Sequence, residues 1–273
     1  MGMFDFFRRK KKNQKVDPKE DESSTPMFCF VLCETPVTIE PKRANEVVRR
    51  ILGKDYSADT SDPNIVSIHQ GKEVAGFLAM MPAPIPNEEA ENNAEDNFLW
   101  PNGREEVAKH TCHVIVTIAG SGDYSPIEAV VAIVRLALVA LDLYDGMGVY
   151  WGHGSVCNNR ETFENFCEDV SPEHVPLPAV MRFQFTSAND DEVALYTLGM
   201  NQFGLMDIEV DHSNMELSDL FEYVCNVAHY LVTTGAVIKD GDTIGSDENE
   251  RIVVRHQPSM IDSSRKVYKI LFE

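Results

Sequence analysis

The segment Ser125–Tyr144 constrains the fold of this 273-residue chain most strongly, because it predicts a helix that is apolar on almost every side. Its start combines an N-cap hydroxyl, a proline at the first helical position and a carboxylate that can bond back to the cap. These groups belong to Ser125, Pro126 and Glu128. The charged residues that precede Asp145 are spaced seven apart and share one narrow stripe: Glu128, Arg135 and Asp142.

A helix with this pattern must be covered by other elements nearly all round, so the chain needs a large core. A transmembrane span is the competing interpretation. Arg135 in mid-segment and the lack of 18 consecutive uncharged residues argue against it. The composition, 43% hydrophobic and 25% charged, is typical of a globular protein. We therefore expect a packed globule without a transmembrane segment.

The remaining pattern predicts an α+β fold with a mixed, mainly antiparallel sheet and packed helices. From Met27 to Ile118 the order strand, helix, strand, strand, helix, strand suits a ferredoxin-like split βαβ unit. Pro82–Asn97 is predicted to be a loop. Asn102 with Glu105, and Ser213 with Glu216, have the spacing of capping boxes that open two further helices.

Charge and apolar content divide the chain into a leader, residues 1–26, and a body, residues 27–273, with 27–122 and 123–273 as candidate halves. The leader contains an unbroken basic run and too few apolar residues to bury, so we expect it to be disordered. A contact with a membrane surface is the alternative, through the aromatic residues Phe4, Phe6 and Phe7 and the basic run.

The formal net charge of −20 argues against a nucleic-acid-binding surface, which needs clustered Lys and Arg. Such a charge attracts basic partners. We therefore predict a non-catalytic binding or regulatory protein for a basic protein partner, with an immunity-like or chaperone-like role. The alternative is a solvated acidic surface without any partner.

Six scattered cysteines form no C-x-x-C pair, and each lies in or beside an apolar stretch: Cys29, Cys33, Cys112, Cys157, Cys167 and Cys225. In a chain of this length without a secretory signal, they are predicted to be reduced core residues. This pattern predicts a cytoplasmic location.

The run His110-Thr111-Cys112-His113 resembles a metal-ligand cluster. On a strand, alternation would place His110 and Cys112 on one face and His113 on the other, so these side chains could not chelate one ion. We therefore predict core packing and no metal. His110 and His113 remain candidate ligand-binding residues.

Trp151-Gly152-His153-Gly154 is the second candidate site, because small residues beside Trp151 and His153 at a strand end permit close approach of a ligand. A tight turn over an aromatic core residue would give the same pattern. The alternative function is therefore a small-molecule binder or hydrolase that uses a pocket near Trp151 and His153. We assign no catalytic residue and no cofactor.

Asp207 and Glu209 could act as paired carboxylates, or simply be two of the 44 acidic residues.

Several short motifs in order resemble the bacterial domain-of-unknown-function family 4261: Met80–Pro86, Trp100-Pro101, His110–Val116, Gly148–Gly152 and Gly199–Val210. The similarity extends from about Met27 to Val232 and is most characteristic in Gly199–Val210 and the helix after it. The resemblance implies a cytoplasmic bacterial protein. It implies no activity, cofactor or catalytic residue.

Overall fold

The computed structural model describes residues 27–187, 192–245 and 251–272. The predicted leader, residues 1–26, lies outside the described residues. The helices are α1 (Pro41–Ile51), α2 (Glu89–Glu95), α3 (Gly103–Val107), α4 (Pro126–Leu143), α5 (Arg160–Phe166), α6 (Leu177–Val180) and α7 (Leu217–Thr234). With the two sheets described next, they confirm the predicted α+β class.

The first seven strands form one sheet, sheet A, and the other six form sheet B. Sheet A contains β1 (Phe28–Cys33), β2 (Tyr56–Asp59), β3 (Ile65–Gln70), β4 (Glu73–Met81), β5 (Cys112–Ile118), β6 (Gly148–Trp151) and β7 (Val156–Asn159). Sheet B contains β8 (Arg182–Ser187), β9 (Val193–Leu198), β10 (Ile208–Ser213), β11 (Thr243–Ile244), β12 (Ile252–Pro258) and β13 (Lys266–Leu271).

Strand pairing differs between the two sheets. Sheet A has the order β2-β3-β4-β5-β1-β6-β7, and all of its described pairs are antiparallel. Sheet B has the order β11-β12-β13-β10-β9-β8 and contains one parallel pair, β10 with β13. The first half differs from the ferredoxin-like order that the sequence suggested. Both β5 and β4 lie between β1 and β3, and the antiparallel pairings leave β1 and β3 running in opposite directions.

Helix α4 lies at the centre of the core, as its sequence predicts. The Ser125 hydroxyl accepts from the Glu128 backbone N–H, and the Glu128 carboxylate accepts from the Ser125 backbone N–H at 2.9 Å, which confirms the capping box. The helix packs on β1, β4 and β5 and against α1. Leu136 is 3% exposed and approaches Gly76 of β4 so closely that a side chain there would collide with it. One apolar cluster joins residues of both sheets to α4 and α7.

Three local predictions need correction. The stretch predicted as a loop, Pro82–Asn97, contains α2, because Ala90 and Ala94 are four apart and both are buried against Trp100 and Tyr150. Asn102 does precede α3, but its side chain makes no cap hydrogen bond. Helix α7 begins at Leu217 with Glu216 at the N-cap, and its start lacks the predicted capping box. The Ser213 hydroxyl instead accepts from the Met215 N–H at 3.1 Å.

All six cysteines are free; five are buried and Cys225 is half-buried. Burial raises the pKa of the Cys33 thiol to about 12 and that of Cys225 to about 11. These thiols are therefore protonated at neutral pH and packed as small apolar groups. Within the described ranges, we find no helix whose length and hydropathy would allow it to cross a bilayer.

Candidate functional site

The two predicted histidines, His110 and His113, lie over the same short segment between β4 and α2. Nε2 of His110 accepts from the Ile85 N–H at 2.9 Å, so its Nδ1 carries the proton and donates to the Val107 carbonyl at 2.5 Å. Nδ1 of His113 donates to the Ala83 carbonyl at 2.8 Å. Each imidazole thus stabilises neighbouring backbone.

The prediction that His110 and His113 lie on opposite faces of one strand is wrong. Strand β5 begins at Cys112, so His110 precedes the strand and the alternation of side chains between the two faces does not apply to it. Cys112 belongs to the main core, whereas the His113 ring packs edge-on against Phe30 on the other face of sheet A. Burial lowers the pKa of His113, although the hydrogen bond to Ala83 partly offsets it.

An acidic side chain lies beside this pair. Glu91 Oε1 is 3.6 Å from His110 Nδ1, and Glu91 Oε2 is buried without a hydrogen-bond partner among the described residues. No group of three or more His, Cys, Asp or Glu side chains in the described ranges has the geometry to hold a metal ion. Ligand binding by His110 and His113 stays a prediction.

Trp151 is fully buried, and its Nε1 donates to Gln202 Oε1 at 2.9 Å. The Gln202 amide nitrogen donates in turn to the carbonyls of Val180 and Gly199, at 3.0 and 2.8 Å. The indole therefore joins sheet A to the segment that follows β9. Trp151 acts here as a core residue with a satisfied polar group.

His153 lies in a short 3-10 helix after β6 and is half-buried. Its ring packs edge-on against Phe28 at 5.7 Å, and its Nε2 is buried without a partner among the described residues. Gly154, next in the chain, lies so close to the Val180 carbonyl that a Cβ would come within 2.0 Å of it. The small residues thus permit close approach of backbone. A ligand pocket near Trp151 and His153 stays a prediction.

Charged side chains are buried on the face of sheet B that lies opposite the core. Lys269 of β13 and Glu209 of β10 are 3% and 1% exposed, and Lys269 Nζ lies 2.7 Å from Glu209 Oε2. Lys269 also donates to Asp211, and the Ser259 hydroxyl donates to Glu209. Burial lowers the pKa of Lys269, but its bonds to Asp211 and Glu209 outweigh burial and hold the pKa above its usual value.

Asp207 has a separate set of partners. It pairs with Arg265 and accepts from the Met200 N–H at 3.0 Å. Burial raises the pKa of Asp207 despite these bonds. Asp207 and Glu209, considered together in the sequence as paired carboxylates, thus each engage their own cation. The sequence did not predict the partners Arg265, Lys269 and Ser259, because only the pairing of β10 with β13 brings them next to Asp207 and Glu209.

A groove was also missed from the sequence. An open space of about 790 Å³ lies between the start of α4, the loop before α6 and the second half of α7. Its lining groups include the carboxylates of Glu128 and Glu173 and the imidazoles of His174 and His229. Burial lowers the pKa of His229, although a hydrogen bond to the backbone at Glu173 partly offsets this. No Lys or Arg lines this groove among the described residues.

The chain around this groove is strongly acidic. Between Glu161 and Ile238 the sequence contains fourteen Asp and Glu but a single Lys or Arg, Arg182. Arg182 is 8% exposed and pairs with Asp96, so it does not offset the surface charge. The exposed acidic side chains on α5, on the loop before α6, at the N-cap of α7 and on its first half are Glu161, Glu164, Glu168, Asp169, Glu173, Glu216, Asp219 and Glu222.

Comparison with known proteins identifies one family. Residues 196–271 match the model of DUF4261, a domain of unknown function. The match extends from the second half of β9 to β13, with α7, and includes Gly199–Val210. It confirms the predicted resemblance to DUF4261 in this part of the chain. The buried ion pairs of sheet B therefore lie within the DUF4261 segment. No curated protein and no solved structure matches the chain.

Proposed function

We propose that this protein is a non-catalytic binding module that captures a basic protein partner through its acidic groove. The observation that carries the proposal is the groove between α4, the loop before α6 and α7. It presents Glu128 and Glu173, and no Lys or Arg among the described residues opposes them. Hydrogen bonds from Ser125 lower the pKa of Glu128, which keeps that carboxylate charged at neutral pH.

Long-range attraction supports the same function. Asp219 and Glu222 lie on exposed positions of α7, ahead of the groove residues Asn226 and His229. A one-sign field of this kind raises the rate at which a basic surface arrives and orients it before contact. A partner rich in Lys or Arg would place its cations against the groove carboxylates Glu128 and Glu173, which form no ion pair among the described residues.

The test uses two matched variants of the full chain. The groove variant carries Glu173→Gln, Asp219→Asn and Glu222→Gln. The control variant neutralises three acids that are also exposed but lie elsewhere, Glu34→Gln, Glu73→Gln and Glu105→Gln. A basic protein captured from an extract of the producing cell is purified, and its association rate is measured with wild type and both variants over a salt series.

We expect wild-type association to slow markedly as the Debye length falls towards about 8 Å at physiological salt. The groove variant should associate more slowly than the control variant, although both have the same net charge. Three results together would contradict the proposal: an association rate that does not change with salt, binding by the groove variant equal to that of wild type, and loss of binding in His153→Ala. These results would favour the site predicted near Trp151 and His153.

A further inference from the structure

A second cleft adjoins the acidic groove along the one charged stripe of α4. It lies between α4, the end of α1 and the β2–β3 edge of sheet A, with a volume of about 270 Å³. Most of its wall is apolar, from residues that include Leu52, Ile118, Val131 and Leu136. Tyr56, Gln70 and Tyr124 add polar groups. An apolar cleft with a few polar groups is the usual form of a small-molecule site.

Arg135 is the one positively charged residue that lines this cleft among the described residues. It is half-buried, and its Nη2 donates to the Leu52 carbonyl at 3.2 Å. Among the described residues, no carboxylate lies within ion-pair distance of its guanidinium group. This is unusual in a chain with 44 acidic and 24 basic residues.

The neighbouring acids on the stripe have other partners. Asp142 pairs with Arg43 and Arg50 of α1, and Glu128 is held by Ser125 in the capping box. A guanidinium carries five N–H donors, so Arg135 has donors left after its bond to Leu52. A partly buried cation without a counter-charge is costly, and a bound anion would remove that cost.

The surroundings select the kind of anion. The planar guanidinium matches a carboxylate in a bidentate arrangement. A phosphate dianion would meet only one cation, and Glu128, which lines the same cleft, would repel its two charges more strongly than the single charge of a carboxylate. The apolar wall requires an apolar body on the ligand. We propose that this cleft binds a small organic monocarboxylate with an aromatic or branched aliphatic body, its carboxylate on Arg135.

This proposal does not depend on the capture of a basic partner. The probe is 3-phenylpropanoate, titrated into the full chain and followed by the amide resonances of α4 and β3. The neutral analogue 3-phenylpropanamide has the same body without the charge. Arg135→Met keeps the length of the side chain and removes its charge, whereas Arg135→Lys keeps the charge and removes the planar fork. Arg104→Met, on the distant helix α3, is the control.

We expect 3-phenylpropanoate to bind wild type and Arg104→Met equally, and to bind Arg135→Met roughly tenfold or more weakly. Arg135→Lys should be intermediate, and the amide should bind all four proteins weakly. Equal binding of acid and amide, no binding of the acid to wild type, or unchanged binding to Arg135→Met would each overturn the proposal. Stronger Arg135-dependent binding of inorganic phosphate would overturn the choice of a carboxylate.

A second variant keeps the test decisive if Arg135→Met unfolds. Ala132 lies on the half-buried side of α4 and lines the cleft. Ala132→Leu should fill part of the space and block 3-phenylpropanoate while leaving Arg135 in place. Unimpaired binding to a folded Ala132→Leu protein would show that the ligand lies elsewhere and overturn the proposal.

Discussion

Lys269 and Glu209 form an ion pair in which both side chains are almost completely removed from solvent, with 2.7 Å between Nζ and Oε2. The two residues lie opposite each other in the parallel pairing of β10 with β13. Ser259 and the Met260 N–H complete the bonding of the carboxylate. The pair thereby holds the β12–β13 turn against the face of sheet B opposite the core.

Replacing Lys269 with Met should destabilise the fold strongly, because Glu209 would remain buried without a cation. We expect the free energy of unfolding to fall by about 3–5 kcal/mol. Urea denaturation measures this. The double variant Lys269→Met with Glu209→Gln should recover part of the loss, and a double variant no more stable than Lys269→Met would contradict our account of the pair.

His113 should make the stability of the protein sensitive to mild acid. Burial lowers its pKa in the folded state from the ordinary 6.5, so the unfolded chain binds the proton more readily. The contribution of His113 to the free energy of unfolding is therefore present at higher pH. It is lost as the pH falls through 6.5 towards the pKa of the folded state. Unfolding free energies of wild type and His113→Asn are compared between about pH 8 and about pH 5.

His113→Asn can still donate to the Ala83 carbonyl but cannot titrate. We expect its unfolding free energy to decline less steeply with acid than that of wild type. His212→Asn, at an exposed position, controls for the removal of an imidazole elsewhere. Parallel curves for wild type and His113→Asn would show that this histidine makes no contribution.

Gly154→Ala tests the close contact after β6. A Cβ at Gly154 would lie 2.0 Å from the Val180 carbonyl oxygen, so backbone must move. We expect a loss of about 1–3 kcal/mol or more in the free energy of unfolding. Gly122→Ala is the matched control, since no atom lies within 4 Å of its added methyl group, and it should change stability by less than about 0.5 kcal/mol. Equal stability of the two variants would contradict the contact.

Leu136→Asp tests the burial of α4. The new carboxylate would lose its hydration in an apolar core, which should cost several kcal/mol and prevent soluble expression. Leu217→Asp provides the control, because Leu217 is 50% exposed at the start of α7. Normal yield and cooperative unfolding of Leu136→Asp would mean that α4 is far less enclosed than we describe.

Local signals were enough to predict α4. Its cap, proline and charged stripe all lie within one segment, so no distant contact was needed to place Ser125 and Glu128 correctly. Helix α2 was missed because its apolar side consists of only Ala90 and Ala94 in an acidic stretch typical of a loop. Its helical conformation depends on burial against Trp100 and Tyr150, which the local pattern does not contain.

The candidate sites depended still more on distant contacts. Glu209 is polar between apolar neighbours, but its partner Lys269 follows much later in the chain, and only strand pairing brings them together. The strand rule failed for His110 because the strand begins two residues later. Arg135 was visible as a charge on an apolar helix, whereas the cleft beside it forms only when α1 and β3 approach α4.

The acidic stretch between Glu161 and Ile238 also determines which chemistry can locate a bound partner. From His110 to Ile238 the chain contains no lysine. Amine-reactive cross-linkers therefore cannot attach to α5, α6, α7 or the groove beside them, and a map made with such reagents would leave this surface blank even when it is fully occupied. Reagents that couple carboxylates to the lysines of the partner would instead react there first.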